Sequence, residues 1–176
     1  MTSRFAEALA DDELVDVNMD EVAYVSFVGS SLKAIGTQNL NSCMAVMMAS
    51  TKGAVLAHIA PRSGFTNDPD DSINHTRNMM GTFLQKCHQV FSIAEIKHSV
   101  LVYAKFDGQI AMPDQRDFIH SVFLENLENN QFPREYSYTV RVGGHSSPGM
   151  GTIFIDGRNG PPKLYVEDVE KQLLGP

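Results

Sequence analysis

Cys43 and His58, fifteen residues apart, are the two side chains in this sequence best suited to chemistry. The thiolate is the reactive form of cysteine, and a neighbouring imidazole that takes the thiol proton turns the sulfur into a nucleophile for an acyl carbon. Cys43 ends the run Gly36-Thr37-Gln38-Asn39-Leu40-Asn41-Ser42-Cys43, and His58 lies in Leu56-Ala57-His58-Ile59-Ala60-Pro61. Between them stand two apolar runs, Met44 to Ala49 and Ala54 to Ile59, separated by Ser50-Thr51-Lys52-Gly53, which is the punctuation of a β-hairpin. A four-residue loop sets Ala49 opposite Ala54 and His58 opposite Ala45, two residues along from Cys43. Side chains alternate across a strand, so Cys43 and His58 then share a face as diagonal neighbours with Cβ atoms about 7–8 Å apart or somewhat less. A three-residue loop puts them on opposite faces, and a bulge at Gly53 upsets the register. Taken singly, each residue has an ordinary structural explanation, Cys43 as a small buried hydrophobe and His58 as a hydrogen-bonded core histidine.

The elements that must hold this pair are readable from pattern. Residues 1–20 are acidic and weakly patterned and are expected as an arm outside the core, with one short helix; residues 21–176 are expected as one domain. Val22 to Val28 is rich in β-branched and aromatic residues and ends at Gly29-Ser30-Ser31, a strand followed by a turn. After the polar loop Thr66 to Ser72, whose Asp70, Asp71 or Ser72 is suited to cap a helix, Met80, Phe83, Leu84, Cys87, Val90 and Phe91 recur at steps of three and four and mark one helical face. A strand is expected over Ser99 to Phe106, and a second helix from about Asp114 to Asn129 with Pro113 at its start and Phe118, Val122 and Phe123 inward. Strands at Tyr136 to Val142, Thr152 to Asp156 and Lys163 to Val166 close the chain, with a short amphipathic tail. The order predicts an α+β fold, a mixed or antiparallel sheet or sandwich core flanked by two main helices.

Composition narrows the function. A net charge of −7, with fourteen basic residues spread along the chain, disfavours nucleic acid, whose phosphates need clustered Lys and Arg. No run reaches the roughly 18 apolar residues of a membrane helix, the N-terminus lacks a targeting pattern, and two cysteines make no disulfide framework. A cytoplasmic protein without a membrane partner is the expectation. No cofactor or metal is expected. The five methionines Met44, Met47, Met48, Met79 and Met80 read as core filler, Cys87 as packing, and Asp68, Asp70 and Asp71 lack the order of a calcium loop. The glycines of Gly143-Gly144 and Gly149-Met150-Gly151 lack phosphate-loop spacing. His145 reads first as an exposed loop residue, and it is the one other loop histidine that could stand at a site.

The order Thr37, Leu40-Asn41-Ser42-Cys43 and Ala57-His58-Ile59-Ala60-Pro61 resembles the CheD family of chemoreceptor glutamine deamidases, and the same Thr, Cys and His order recurs in the deamidase domains of the cytotoxic necrotizing factor toxins. The resemblance covers about Gly36 to Pro61. It implies a deamidase-like fold and hydrolysis of a primary amide, a protein glutamine side chain, by Cys43 as nucleophile, His58 as base and acid, and Thr37 as the hydroxyl that orients His58 or the substrate. Asn41, Ser42 and His145 are the substrate or oxyanion candidates, beside the backbone amide of Cys43. Family members read Leu-Gly-Ser-Cys or Leu-Ser-Gly-Cys here; this chain has no Gly, and Asn41 is the residue expected to take the positive φ of the turn. The implied partner is a protein carrying a reactive glutamine. The same Cys–His pair also suits a thiol peptidase or small-molecule amidase, and a non-catalytic binding module of the same fold is the further alternative.

Overall fold

Short apolar runs bounded by Gly, Asp and Ser form strands, and the two stripes with three- and four-residue spacing form the long helices. The structure, a computed structural model, describes residues 2–127, 132–143 and 147–173. Its elements in chain order are α1 (Arg4–Ala10), β1 (Leu14–Asp16), β2 (Val22–Ser26), β3 (Ala34–Thr37), β4 (Met44–Ala49), β5 (Gly53–Ile59), α2 (Asp71–Val90), β6 (His98–Phe106), β7 (Gln109–Ile110), α3 (Pro113–Asn126), β8 (Arg134–Thr139), β9 (Ile153–Asp156), β10 (Lys163–Val166) and β11 (Val169–Lys171). One sheet runs β1-β3-β9-β10-β11, parallel only between β1 and β3. The other runs β2-β5-β4-β6-β7, with β8 added parallel to β6.

The sheets pack face to face. Ala45, Met47 and Leu56 of the second sheet meet Ile35, Ile153, Ile155 and Leu164 of the first. The opposite face of β4 and β5 carries Val46, Met48, Val55 and Ala57 against Met80, Phe83 and Cys87 of α2 and Ile119 and Phe123 of α3. Burial on both faces explains why Met44 to Ala49 reads as an unbroken apolar run rather than an alternation. Each large side chain withdrawn from water contributes about 1.5–3 kcal/mol, so this doubly covered hairpin is a rigid base for the residues at its end. The α+β expectation, two main helices on a sandwich of mixed and antiparallel sheets, is the architecture observed. Among the described residues no helix is long and apolar enough to cross a membrane.

Residues 1–20 correct the expectation of an arm outside the core. Phe5 and Ala8 of α1 are buried with Leu14, Ala34, Phe154 and Tyr165, and β1 pairs with β3. Their few apolar side chains are scattered among acids, so no periodicity announces them; they are buried because the outer face of the first sheet would otherwise be bare. β3 was not separable as a strand for a related reason: Ala-Ile-Gly-Thr is four residues, all buried, with no alternation. Gly36 is required there, since a Cβ would lie 2.5 Å from the Ile153 carbonyl oxygen and 2.9 Å from the Phe5 ring. β8 begins two residues before its expected start and stops at Thr139, set by its parallel register on β6 from Val100↔Arg134 to Lys105↔Thr139. α3 ends at Asn126, and Asp70 caps α2 without a side-chain hydrogen bond, the Asp71 carboxylate instead accepting from the amide and hydroxyl of Ser63. The chain's end forms β11 rather than only a tail.

Candidate active site

The hairpin register is the one the four-residue loop predicts: Ala49 pairs with Ala54 and Ala45 with His58. Cys43 immediately precedes the first paired residue, Met44↔Ile59, so Cys43 and His58 lie diagonally on the face that meets the first sheet. Both are nearly enclosed, Cys43 at 7% exposure and His58 at 3%.

Thr37 ends β3 beneath the imidazole. Its Oγ1 lies 2.6 Å from the Val17 carbonyl oxygen and 2.7 Å from His58 Nδ1. A hydroxyl has one proton and a carbonyl can only accept, so the Thr37 O–H donates to Val17 and Oγ1 accepts from Nδ1–H. This fixes the tautomer: Nδ1 carries the proton and Nε2 presents its lone pair. Nε2 is buried and has no hydrogen-bond partner. No hydrogen bond joins it to Cys43 Sγ. Val17 is itself buried, held by its amide's hydrogen bond to the Gly36 carbonyl, so the segment expected as a free arm supplies the acceptor that orients the ring.

The turn before Cys43 is pinned from distant parts of the chain. Leu40 N–H donates to the Gly151 carbonyl at 3.0 Å, and Asn41 Oδ1 accepts from the Arg141 amide at 2.7 Å. Tyr138 of β8, 3% exposed, bridges the two peptide units on either side of the Ser42–Cys43 link: its Oη accepts from Ser42 N–H at 2.9 Å and donates to the Cys43 carbonyl at 2.7 Å. The positive φ falls on Ser42 (114°) and Asn39 (62°), not on Asn41. Ser42 occupies the place where the toxin pattern has Gly, and a serine at that φ stores local strain of about 1–3 kcal/mol, which the Tyr138 bonds help to hold. With its amide committed to Tyr138, Ser42 has no backbone N–H free for an oxyanion. The amides of Asn41 and Cys43 instead lie against the sulfur, where both favour negative charge. The Asn41 side chain is taken up by Arg141. His145 lies outside the described residues.

Tyr138 was not singled out in the sequence, and its alternation within a strand gives only the inward face. Tyr138→Phe removes one hydroxyl and leaves two backbone groups without their partner. Its urea midpoint is expected to fall by an amount equivalent to about 1–3 kcal/mol. An unchanged midpoint would mean that the turn does not depend on that hydroxyl.

Electrostatically the pair is neutral at rest. Burial, followed by the nearby Asp20 carboxylate, pushes the Cys43 thiol up to about 11. Burial also lowers His58 from 6.5, outweighing the opposing effects of the Asp20 carboxylate, the Val17 carbonyl and the Asp16 carboxylate. Asp20 was also missed by sequence reasoning. It sits at positive φ between β1 and β2, where no local pattern marks it. Cys87, buried under α2, is pushed up to about 12 by burial and packs against apolar neighbours, as its helical stripe predicts. Among the described residues no cluster of three or more His, Cys, Asp or Glu is disposed to hold a metal ion.

Fold and site together define an α+β two-sheet protein with a buried Cys–His–Thr constellation at the end of a central hairpin. No family model matches the chain, and no curated protein matches it. Among solved structures it is similar to the C-terminal domain of CNFy from Yersinia pseudotuberculosis, with 9% identity and a TM-score of 0.36 over 86% of this chain and 54% of that one. The chain thus spans about half the length of that domain.

Proposed function

We propose that this chain is a cysteine-dependent amidohydrolase that converts protein glutamine side chains to glutamate. The observation that carries the reading is the hydrogen-bond direction from His58 Nδ1 through Thr37 to the Val17 carbonyl, which leaves Nε2 as an unpartnered base on the face shared with Cys43. A buried acceptor with nothing to accept costs free energy, and such a cost is retained where the atom has chemistry to do.

Because the resting pair is thiol and imidazole, the proton leaves Sγ as the substrate arrives rather than beforehand. Sγ forms a bond to the carboxamide carbon while Nε2 takes the thiol proton, and the carbonyl oxygen becomes an oxyanion facing the Cys43 amide, with that of Asn41 beside it. The imidazolium returns its proton to the nitrogen, the C–N bond breaks, and ammonia leaves a thioester. Water then gives a proton to Nε2 as its oxygen attacks the thioester carbon; as the C–S bond breaks, Nε2 passes that proton to Sγ, giving glutamate and regenerating the thiol and the neutral imidazole. The near enclosure of Cys43 suits a narrow unbranched carboxamide over a main-chain amide, which would have to bring two chain directions into the site.

The test is incubation of the chain with a cell lysate, followed by a proteome-wide search for Gln-to-Glu conversion and an ammonia assay. Conversion by the wild-type chain and none by Cys43→Ser is the expected outcome. Chain cleavage in place of conversion supports a peptidase instead. A second reading, a binding module of the same fold, is favoured by one observation, the missing hydrogen bond between Sγ and Nε2. It takes over if the wild-type chain releases no ammonia and converts no glutamine.

A further inference from the structure

Asp20 makes more contacts with the end of β5 than a loop aspartate needs. Its backbone N–H donates to the His58 carbonyl at 2.7 Å, and the His58 N–H in turn donates to Glu21. Its Oδ1 accepts from the Ala60 amide at 3.0 Å and lies 2.7 Å from Nε2 of His75, in the second turn of α2. One residue therefore grips both sides of the strand end that carries the imidazole and ties that end to a helix. The segment is braced again beyond it, where the buried Gln115 of α3 donates to the Pro61 carbonyl at 2.7 Å.

We infer that Asp20, tethered by His75, is a positioning residue for His58: its carboxylate fixes the strand end that presents the imidazole and stabilises the imidazolium formed when His58 takes the thiol proton. The inference rests on the proposed amidohydrolase reading for its catalytic meaning. Its physical basis is that a fixed negative charge beside a group that becomes positive lowers the energy of the charged form, and does so more strongly away from bulk water. The same charge disfavours thiolate on Cys43, so it acts against a preformed ion pair and in favour of proton transfer during attack. The groups facing His58 are Asp16 and Asp20 from the β1–β2 segment, Thr37 from β3 and Cys43 from the turn before β4. From α2, His75 faces Asp20, with the Asp71 carboxylate near His75 on the same helix. Glu21, next to Asp20, is turned to Asn18, whose amide and side-chain nitrogen both donate to it.

Asp20→Asn is nearly isosteric, tolerates the residue's φ of 62° and keeps an acceptor for the Ala60 amide, so it removes charge with little change in shape. The readouts are the imidazole titration of His58 by NMR and the pH dependence of Cys43 alkylation in the full chain. Loss of the charge moves the His58 midpoint further below 6.5 and moves Cys43 down from about 11. Mere loosening exposes both groups and would move His58 the other way, upward toward 6.5. The direction at His58 therefore separates the two accounts. His75→Ala, which frees the carboxylate to move away, is expected to shift both groups in the same direction as Asp20→Asn but less. Ammonia release per unit substrate concentration is expected to fall about 10–100-fold in Asp20→Asn, each tenfold corresponding to about 1.4 kcal/mol of lost stabilisation of the imidazolium in the transition state. A His58 midpoint that stays in place or rises overturns the inference. If the midpoints move as expected while the wild-type chain deamidates nothing, the coupling stands and the amidohydrolase reading falls.

Discussion

Replacing Thr37 with valine is expected to lower deamidation, as kcat/KM, by about 10²–10⁴-fold while the fold persists. Valine matches threonine in shape and removes only the hydroxyl. What is lost is the acceptor for Nδ1–H at 2.7 Å and the donor to Val17 at 2.6 Å. The ring then has no reason to keep its proton on Nδ1, and in the other tautomer Nε2 carries a proton and cannot take one from Cys43. The loss therefore falls on the chemical step, with kcat reduced and KM little changed. Thr37→Ser retains the hydroxyl and is expected to stay within about tenfold of wild type, the scale of a difference of roughly 1.4 kcal/mol. Imidazole ¹⁵N spectra supply a readout independent of turnover, Nδ1 protonated in the wild type and in Thr37→Ser, mixed in Thr37→Val. If valine leaves both the spectrum and the rate unchanged, Thr37 is a structural residue of β3 and the orienting role is wrong.

That the hairpin's register was readable, while its supports were not, follows from the range of the signals. Ser50-Thr51-Lys52-Gly53 is a local signal, and its length together with the two-residue period of a strand fixes which residues face together; Ala45 opposite His58 follows from counting. The tautomer of His58 depends on Val17, forty-one residues earlier in the chain, and the turn at Ser42 depends on Tyr138, ninety-six residues later. Neither Val17 nor Tyr138 differs in type or spacing from an ordinary core residue. The acidic stretch that contains Asp20 reads as solvated, and only the pairing of β1 with β3 and the contact with α2 brings that carboxylate to the site. Intrinsic preference places the left-handed residue at Asn41; tertiary hydrogen bonds put it at Ser42, whose preference is weaker. Chemistry-bearing residues on adjacent strands are thus legible from sequence, and the residues that orient them are not, because orientation is imposed by hydrogen bonds between segments far apart in the chain.

The buried thiol leads to the other large effect, which is on stability at alkaline pH. The Cys43 thiol is pushed from 9.0 up to about 11 by burial first and by the Asp20 carboxylate second. A group whose folded pKa is raised contributes stability that is fully present below its unfolded pKa and is lost as pH rises through the folded one. The window is therefore pH 9 to 11, and two units correspond to about 2.7 kcal/mol at most. Cys87 adds a second loss over the window from 9.0 to about 12, so the chain is expected to weaken steeply above pH 9. Urea midpoints measured at pH 8 and pH 10.5 on wild type, Cys43→Ala and Cys87→Ala separate the two, each variant losing less on the alkaline side than the wild type. The same protonation state governs reactivity. At pH 7 Cys43 is expected to react with iodoacetamide more slowly than free cysteine, against the ordinary expectation for an activated thiol, because thiolate forms here only when a bound carboxamide draws the proton to Nε2. A pre-formed ion pair would instead give rapid alkylation at pH 7 that collapses in His58→Ala, and no loss of stability between pH 9 and 11 on account of Cys43. Either result would replace proton transfer during attack with a standing thiolate.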